Sequence, residues 1–205
     1  MEHTNTQTHV HRDDEASKIG MWMFIFTELL LFGGLFIVYS VYRFRNQEAF
    51  AMAARELNLT IGIVNTVILM ASAAFIGMAT VAMRQGKKKL TLALIWASIL
   101  LGIVFLVNKY FEWDLKIAHG LFPGSEHLHE LGHGDTLFFG LYFFMTGLHA
   151  LHLLIGLAFM GFMLAFVGKG KINSGNQVQL DNCSLYWHLV DLIWIFLFPL
   201  FYLIA

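Results

Sequence analysis

Cysteine and proline are almost absent from this 205-residue chain. The single cysteine, Cys183, cannot close a disulfide within the chain, and it excludes a thiolate cluster or Cys-rich zinc site built from this chain alone. With only two prolines, long helices can run with few kinks. Charge is scarce too: Asp, Glu, Lys and Arg make up 13% of the residues, against roughly 25% in a soluble domain. Neither sign dominates, with 13 Lys and Arg against 14 Asp and Glu. There is thus no basic surplus to hold a nucleic-acid backbone and no acidic excess to mark a disordered tail. What fills the chain instead is apolar: 58% hydrophobic and 15% aromatic, with 20 phenylalanines.

The apolar residues fall into five windows nearly free of charge, at residues 19–42, 59–83, 90–108, 136–167 and 185–205. Each holds about the 20 residues that a helix needs to cross ~30 Å of hydrocarbon. The apolar runs are continuous rather than alternating, and hydrocarbon requires every backbone polar group to be paired inside its own segment, so helices are expected rather than barrel strands. The predicted fold class is therefore all-α: an integral membrane bundle of five transmembrane helices (19–205) behind a polar N-terminal arm (1–18). The fourth window is long enough to tilt or project beyond the bilayer.

The arm lacks the basic start, short apolar core and small-residue cleavage site of a signal peptide, so the first window is retained as a helix. Eight Lys and Arg fall on the side of the arm, the 84–89 turn (RQGKKK) and the 168–184 loop, and five on the other. That bias predicts a cytoplasmic N-terminus and an external C-terminus. The 84–89 turn reads as an ordinary solvated loop. No repeat of 20–50 residues and no inverted pair of glycine-broken helices is visible. The longest expected extramembrane stretch is 109–135, too short for a soluble domain.

Glu28 and Asp191 are the only carboxylates inside the windows. Glu28 lies about 13 Å along its helix at 1.5 Å per residue, near mid-bilayer. An ionised carboxylate there costs ~2.5–3.5 kcal/mol on insertion scales, so it is expected to face protein. It reads either as a proton-exchanging or lipid-contacting carboxyl, or as one hydrogen-bonded to a neighbouring helix. His149 and His152 stand at i and i+3 on the fourth helix, and His188 and Asp191 repeat that spacing on the fifth. Such imidazoles could ligate haem or a metal. Three residues, however, is too tight for histidines that stack two haems across a membrane, which favours hydrogen bonding between helices. Asn65 in the second helix and Glu112 at the foot of the third are expected to satisfy neighbours.

The 121–135 loop carries Glu126, His127, His129, Glu130 and His133, preceded by His119. His129 and His133 could bind zinc on a helix, but Pro123, Gly124, Gly132 and Gly134 argue for a solvated, turn-rich connection. His3, His9 and His11 have a weaker claim still. Trp22, Tyr39, Tyr42, Trp113 and Tyr202 fall near window ends, as interfacial anchors do. Gly62, Ala73, Gly77, Gly147 and Gly156 would let helix backbones approach closely.

Five segments together resemble subunit III of the haem–copper oxidases in its short five-helix form. They are G-M-W-M-F-I-F-T-E-L-L-L-F-G-G-L-F at 20–36, Asn65–Thr66 with I-L-M-A-S at 68–72, Y-F-E-W at 110–113, T-G-L-H-A-L-H-L-L-I-G at 146–156 and Y-W-H-L-V-D-L-I-W at 186–194. The resemblance runs from about residue 18 to the C-terminus, with the motifs in the family's order. Two helices that precede this region in longer members are absent.

The resemblance implies a subunit without catalytic residues, metal or other cofactor of its own, packed beside subunit II and the catalytic subunit I that holds the haems and copper. It implies helices split around a lipid-filled cleft with bound phospholipid, in a bacterial plasma membrane. Glu28, Glu112, His149, His152, His188 and Asp191 match the family's intramembrane polar positions, none of them a haem or copper ligand. The implied role is to stabilise the catalytic subunit, sustain proton uptake during oxygen reduction and ease oxygen entry. Rival readings are an accessory protein of nitric oxide reductase, a bis-histidine membrane cytochrome b and a small carrier coupled through Glu28.

Overall fold

A computed structural model describes residues 14–125, 128, 132–173 and 175–204. The described residues include six helices: α1 (Asp14–Arg45), α2 (Gln47–Arg55), α3 (Leu59–Arg84), α4 (Lys88–Ala118), α5 (His133–Gly168) and α6 (Val178–Tyr202). All but α2 are long and apolar enough to cross a membrane, which gives the five expected spans. No strand occurs among the described residues.

Local chemistry sets where the helices stop. The Asn58 side chain caps α3 by accepting from Thr60 N and Ile61 N at 3.0 and 3.3 Å. At its far end Gly86 takes φ +71°. The turn then closes with Lys87 N donating to Ala82 O at 3.0 Å, so α4 starts within a few residues and runs back antiparallel. Gly120 ends α4 in the same way, with Leu121 N donating to Lys116 O.

Two elements differ from the sequence reading. The third span does not end near residue 108 but continues through Lys109, Glu112 and Lys116 to Ala118. These charges lie at i, i+3 and i+7, on one face, and all three are buried. The short α2 was not foreseen. It is amphipathic, burying Phe50, Ala53 and Ala54 while Met52 and Arg55 stay exposed. At the N-terminus, Asp14–Lys18 are already helical, whereas residues 1–13 of the expected arm lie outside the described residues.

Helices α3, α4, α5 and α6 close a ring in which each packs on the next, and α1 lies outside it against α5 and α6. Along α1 the buried residues are Ile25, Phe32 and Tyr39, a stripe one residue wide that repeats every seven. The arrangement is a four-helix ring with α1 standing to one side. Shallow grooves run along α1. One of about 320 Å³ is lined by Phe36, Arg43, Phe196, Pro199 and Leu200. Tyr39 and Tyr202, expected as interfacial anchors, are buried instead, whereas Trp22 and Tyr42 are exposed.

Close backbone approach depends on absent side chains. A Cβ on Gly156 would sit 2.8 Å from the Trp187 ring, and one on Gly102 2.9 Å from the same indole. Trp187 therefore wedges between α4 and α5, and its N–H donates to Ser72 Oγ at 3.0 Å. Ser72 in turn exchanges hydrogen bonds with Ser98 across the α3–α4 seam.

Candidate functional site

Glu28 follows Ile25 by three residues and precedes Phe32 by four, so it falls on the one stripe of α1 that faces protein. Its Oε2 lies 2.9 Å from His152 Nε2 on α5. The other ring nitrogen, Nδ1, stands 2.8 Å from Leu148 O, which can only accept, so Nδ1 carries a hydrogen and donates it. The Nε2–Oε2 contact is then one hydrogen bond, with the carboxyl and the imidazole as its two ends. Tyr186 OH donates to His152 O at 2.9 Å, which holds α5 against α6. Glu28 and His152 together tie α1 to the ring, in a seam where the Phe32 ring packs edge-on to the imidazole at 5.4 Å.

His149 turns another way. Residues at i and i+3 diverge by about 60° around a helix, enough to aim His149 into the ring. There it lies between Phe105 and Trp194, with ring centroids at 5.8 and 5.3 Å. Neither of its nitrogens has a hydrogen-bond partner. The two imidazoles of α5 thus face different neighbours.

The most connected group was only partly foreseen. Lys109 Nζ donates to Glu112 Oε2 at 3.2 Å, Tyr142 OH at 2.9 Å and Tyr202 OH at 2.8 Å, which uses every ammonium hydrogen. Tyr142 OH donates to Glu112 Oε1 at 2.7 Å, and Tyr202 OH donates to the same oxygen. The Lys109 and Glu112 side chains are each 3% exposed. The ammonium also lies 4.8–5.3 Å from the ring centroids of Tyr142, Trp194 and Tyr202. One ion pair with two hydroxyls thereby joins α4, α5 and α6. The available signal was the i, i+3 spacing of Lys109 and Glu112, but a charge-free window places Lys109 outside the membrane. Lys116 Nζ adds a bond to Glu56 O at 2.9 Å, which anchors the end of α2.

Asn65 accepts from Asn108 Nδ2 at 2.9 Å, binding α3 to α4. Trp194 N–H donates to Thr66 Oγ1 at 3.0 Å, binding α6 to α3. His188 is exposed on α6 beside Gly77 of α3, while Asp191 is 9% exposed and its Oδ1 is sealed without a partner. His119 lines a pocket of about 380 Å³ with Glu56 and Asp135, and His133 opens α5. Among the described residues no three of His, Cys, Asp or Glu converge as metal ligands. Glu126, His127, His129 and Glu130, like His3, His9 and His11, lie outside the described residues.

Five apolar spans whose interior polar groups join one helix to the next define a polytopic helical membrane protein. The family model for cytochrome c oxidase subunit III matches residues 1–205, and the chain belongs to that family. It is similar to the protein named "Cytochrome c oxidase subunit 3" of Thermostichus vulcanus, 29% identical over 198 residues that cover 96% of this chain and 92% of the relative. It is also similar to "Probable quinol oxidase subunit 3" of Staphylococcus aureus, 29% identical over 204 residues covering 98% and 96%. The chain is accordingly a haem–copper oxidase subunit III, one part of an oxidase complex, and it associates with other oxidase subunits.

Proposed function

We propose that this chain is a non-catalytic subunit of a respiratory terminal oxidase of the bacterial plasma membrane. It stabilises the catalytic subunit and supports proton uptake while the complex reduces oxygen to water and pumps protons. Haem and copper belong to the catalytic subunit I, which with subunit II forms its protein surroundings. The observation that carries this reading is where the polar groups spend their hydrogen bonds. Glu112 is engaged by Lys109, Tyr142 and Tyr202, and His152 by Glu28 and Leu148. These contacts bind helices to one another, which supports a structural role for the groups that make them.

Within that role Glu28 carries proton exchange. It is a mid-span carboxyl hydrogen-bonded to an imidazole, and it lies on α1, outside the four-helix ring. Phospholipid occupies the groove between α1 and α6, where the Arg43 guanidinium suits a phosphate and Phe36 and Phe196 suit an acyl chain. The N-terminus is cytoplasmic. The α1 start, the 84–89 turn and the segment before α6 meet at one end, tied by Asn182 to Ser17, Arg84 to Asp181 and Lys88 to Gly168 O. At the opposite end Lys109 and Lys116 are buried within α4, so the loops there offer fewer free cations than the sequence count.

Deletion of the chain tests the reading. Reduced-minus-oxidised haem spectra of the membranes should be unchanged and the initial oxygen-consumption rate largely retained, while activity decays faster during sustained turnover. Loss of haem and copper from the remaining complex would overturn the accessory role. Co-purification with nitric oxide reductase instead of an oxidase would overturn the assignment of partner.

A further inference from the structure

We propose that Tyr186 is a positioning residue for the Glu28–His152 pair: its hydroxyl holds the backbone of His152 on α5 while its ring rests on α1 beside Glu28, so that it sets how the imidazole meets the carboxyl and thereby how readily Glu28 exchanges a proton. The inference deepens the proton-exchange role proposed for Glu28 and rests on it.

The pair lies across a seam between two helices. His152 Nε2 and Glu28 Oε2 are 2.9 Å apart, and such a bond is lost once its ends separate beyond about 3.5 Å. It therefore depends on how α1 sits against α5. The Nδ1 bond to Leu148 O fixes the imidazole on its own helix, but not that helix on its neighbour. Tyr186 of α6 supplies the missing link. Its hydroxyl donates to His152 O at 2.9 Å, and its ring stacks on Phe24 of α1 with centroids 5.9 Å apart and planes at 25°. Phe24 precedes Glu28 by four residues, one turn away on the same face. One side chain thus touches both helices that carry the pair.

The local fold makes this reach possible. A carbonyl inside a helix has a second lone pair to offer, but a ring from another helix gets to it only where the surface is bare. Gly156, four residues past His152, provides the opening, since a Cβ there would lie 3.0 Å from Tyr186 Cε1. Phe159 packs edge-on against the same ring at 5.5 Å. Tyr186 is 1% exposed, whereas the Glu28 and His152 side chains keep 14% and 10%. A fixed phenol therefore stands behind a pair that a small apolar reagent can reach. The other ionisable groups around it are Cys183, beside Tyr186 on α6, and His149, beside His152 on α5.

The intact oxidase in its membrane provides the test, read as the rate at which dicyclohexylcarbodiimide labels Glu28. Tyr186→Phe keeps the ring with its stacking and drops only the hydroxyl. It should change that rate at least about threefold, and its pH profile should leave the wild-type curve and approach that of His152→Leu. Added to His152→Leu, the same substitution should have no further effect, because the tyrosine acts through the imidazole. Tyr39→Phe is the control: it removes another tyrosine bond from α1 to α6, to Leu200 O, and should leave labelling at the wild-type rate. Wild-type labelling in Tyr186→Phe, an equal change in Tyr39→Phe, or an undiminished effect in the His152→Leu background overturns the proposal. Sustained oxygen consumption separates it from the reading beneath. Tyr186→Phe and Glu28→Gln should lose rate together, and wild-type turnover in Glu28→Gln would overturn proton exchange at Glu28 while labelling still decides the positioning.

Discussion

At the scale of residues, the buried Lys109–Glu112 pair should be the most sensitive position in the bundle. Glu112→Leu leaves an ammonium buried 3% exposed without its counter-charge, a change that costs about 3–5 kcal/mol when one partner of a buried pair is removed. The Lys109→Met/Glu112→Leu double variant should recover most of that loss, and thermal unfolding of the purified complex reads both. His149 offers the opposite case. With neither nitrogen bonded, His149→Leu removes no hydrogen bond and should change stability by less than about 1 kcal/mol in the same assay. Glu28→Gln can still donate to His152 Nε2, so the complex should assemble normally but lose rate in sustained turnover; equal turnover would remove proton exchange from the role of Glu28. Sequence marked Glu28, His152, Asn65 and Glu112 as groups that must face protein, because hydrocarbon leaves a polar group no alternative. It did not mark Lys109, since a search for charge-free windows ends at the first lysine, and the tyrosines that satisfy it come from α5 and α6. Tyr39 and Tyr202 were read as anchors for a similar reason: position along a helix is legible, but the face a side chain turns to depends on its neighbours.

Elements follow the same division. The five spans were readable from continuous apolar runs, whereas α2 was not, because nine residues with three buried positions give no run at all. Packing between spans turns on glycines whose importance is invisible until an aromatic ring is seen beside them. Gly62 and Gly156 were expected to permit close approach, and each would place a Cβ 2.8 Å from an aromatic ring of α6. Gly102, which was not singled out, receives the other side of Trp187. Gly156→Val should therefore destabilise the bundle by about 1–3 kcal/mol through overpacking. Gly161→Ala, with nothing within 4 Å of the added carbon, should be neutral or gain up to about 1 kcal/mol of helix propensity. Paired melting curves of the two variants check this, and equal effects would mean that Trp187 does not wedge the helices apart.

For the molecule as a whole, the arrangement is a ring of four helices held by buried polar contacts, with α1 attached through Glu28 and Tyr39 to its outer side. Helix count and class could be read from composition, because a membrane leaves few solutions. The ring could not, since nothing in a linear pattern says that α1 stands apart or that α3 closes against α6. The proposed assembly role would use both features: the ring would offer faces to larger neighbours, and the groove beside α1 would take lipid. Gentle detergent extraction of the tagged chain, with identification of its companions and haem counted per protein, tests the central claim most directly. The account predicts equimolar recovery with a catalytic subunit that contains haem and copper, and no haem on this chain once it is separated. Recovery of the chain alone with haem bound to it would contradict the account.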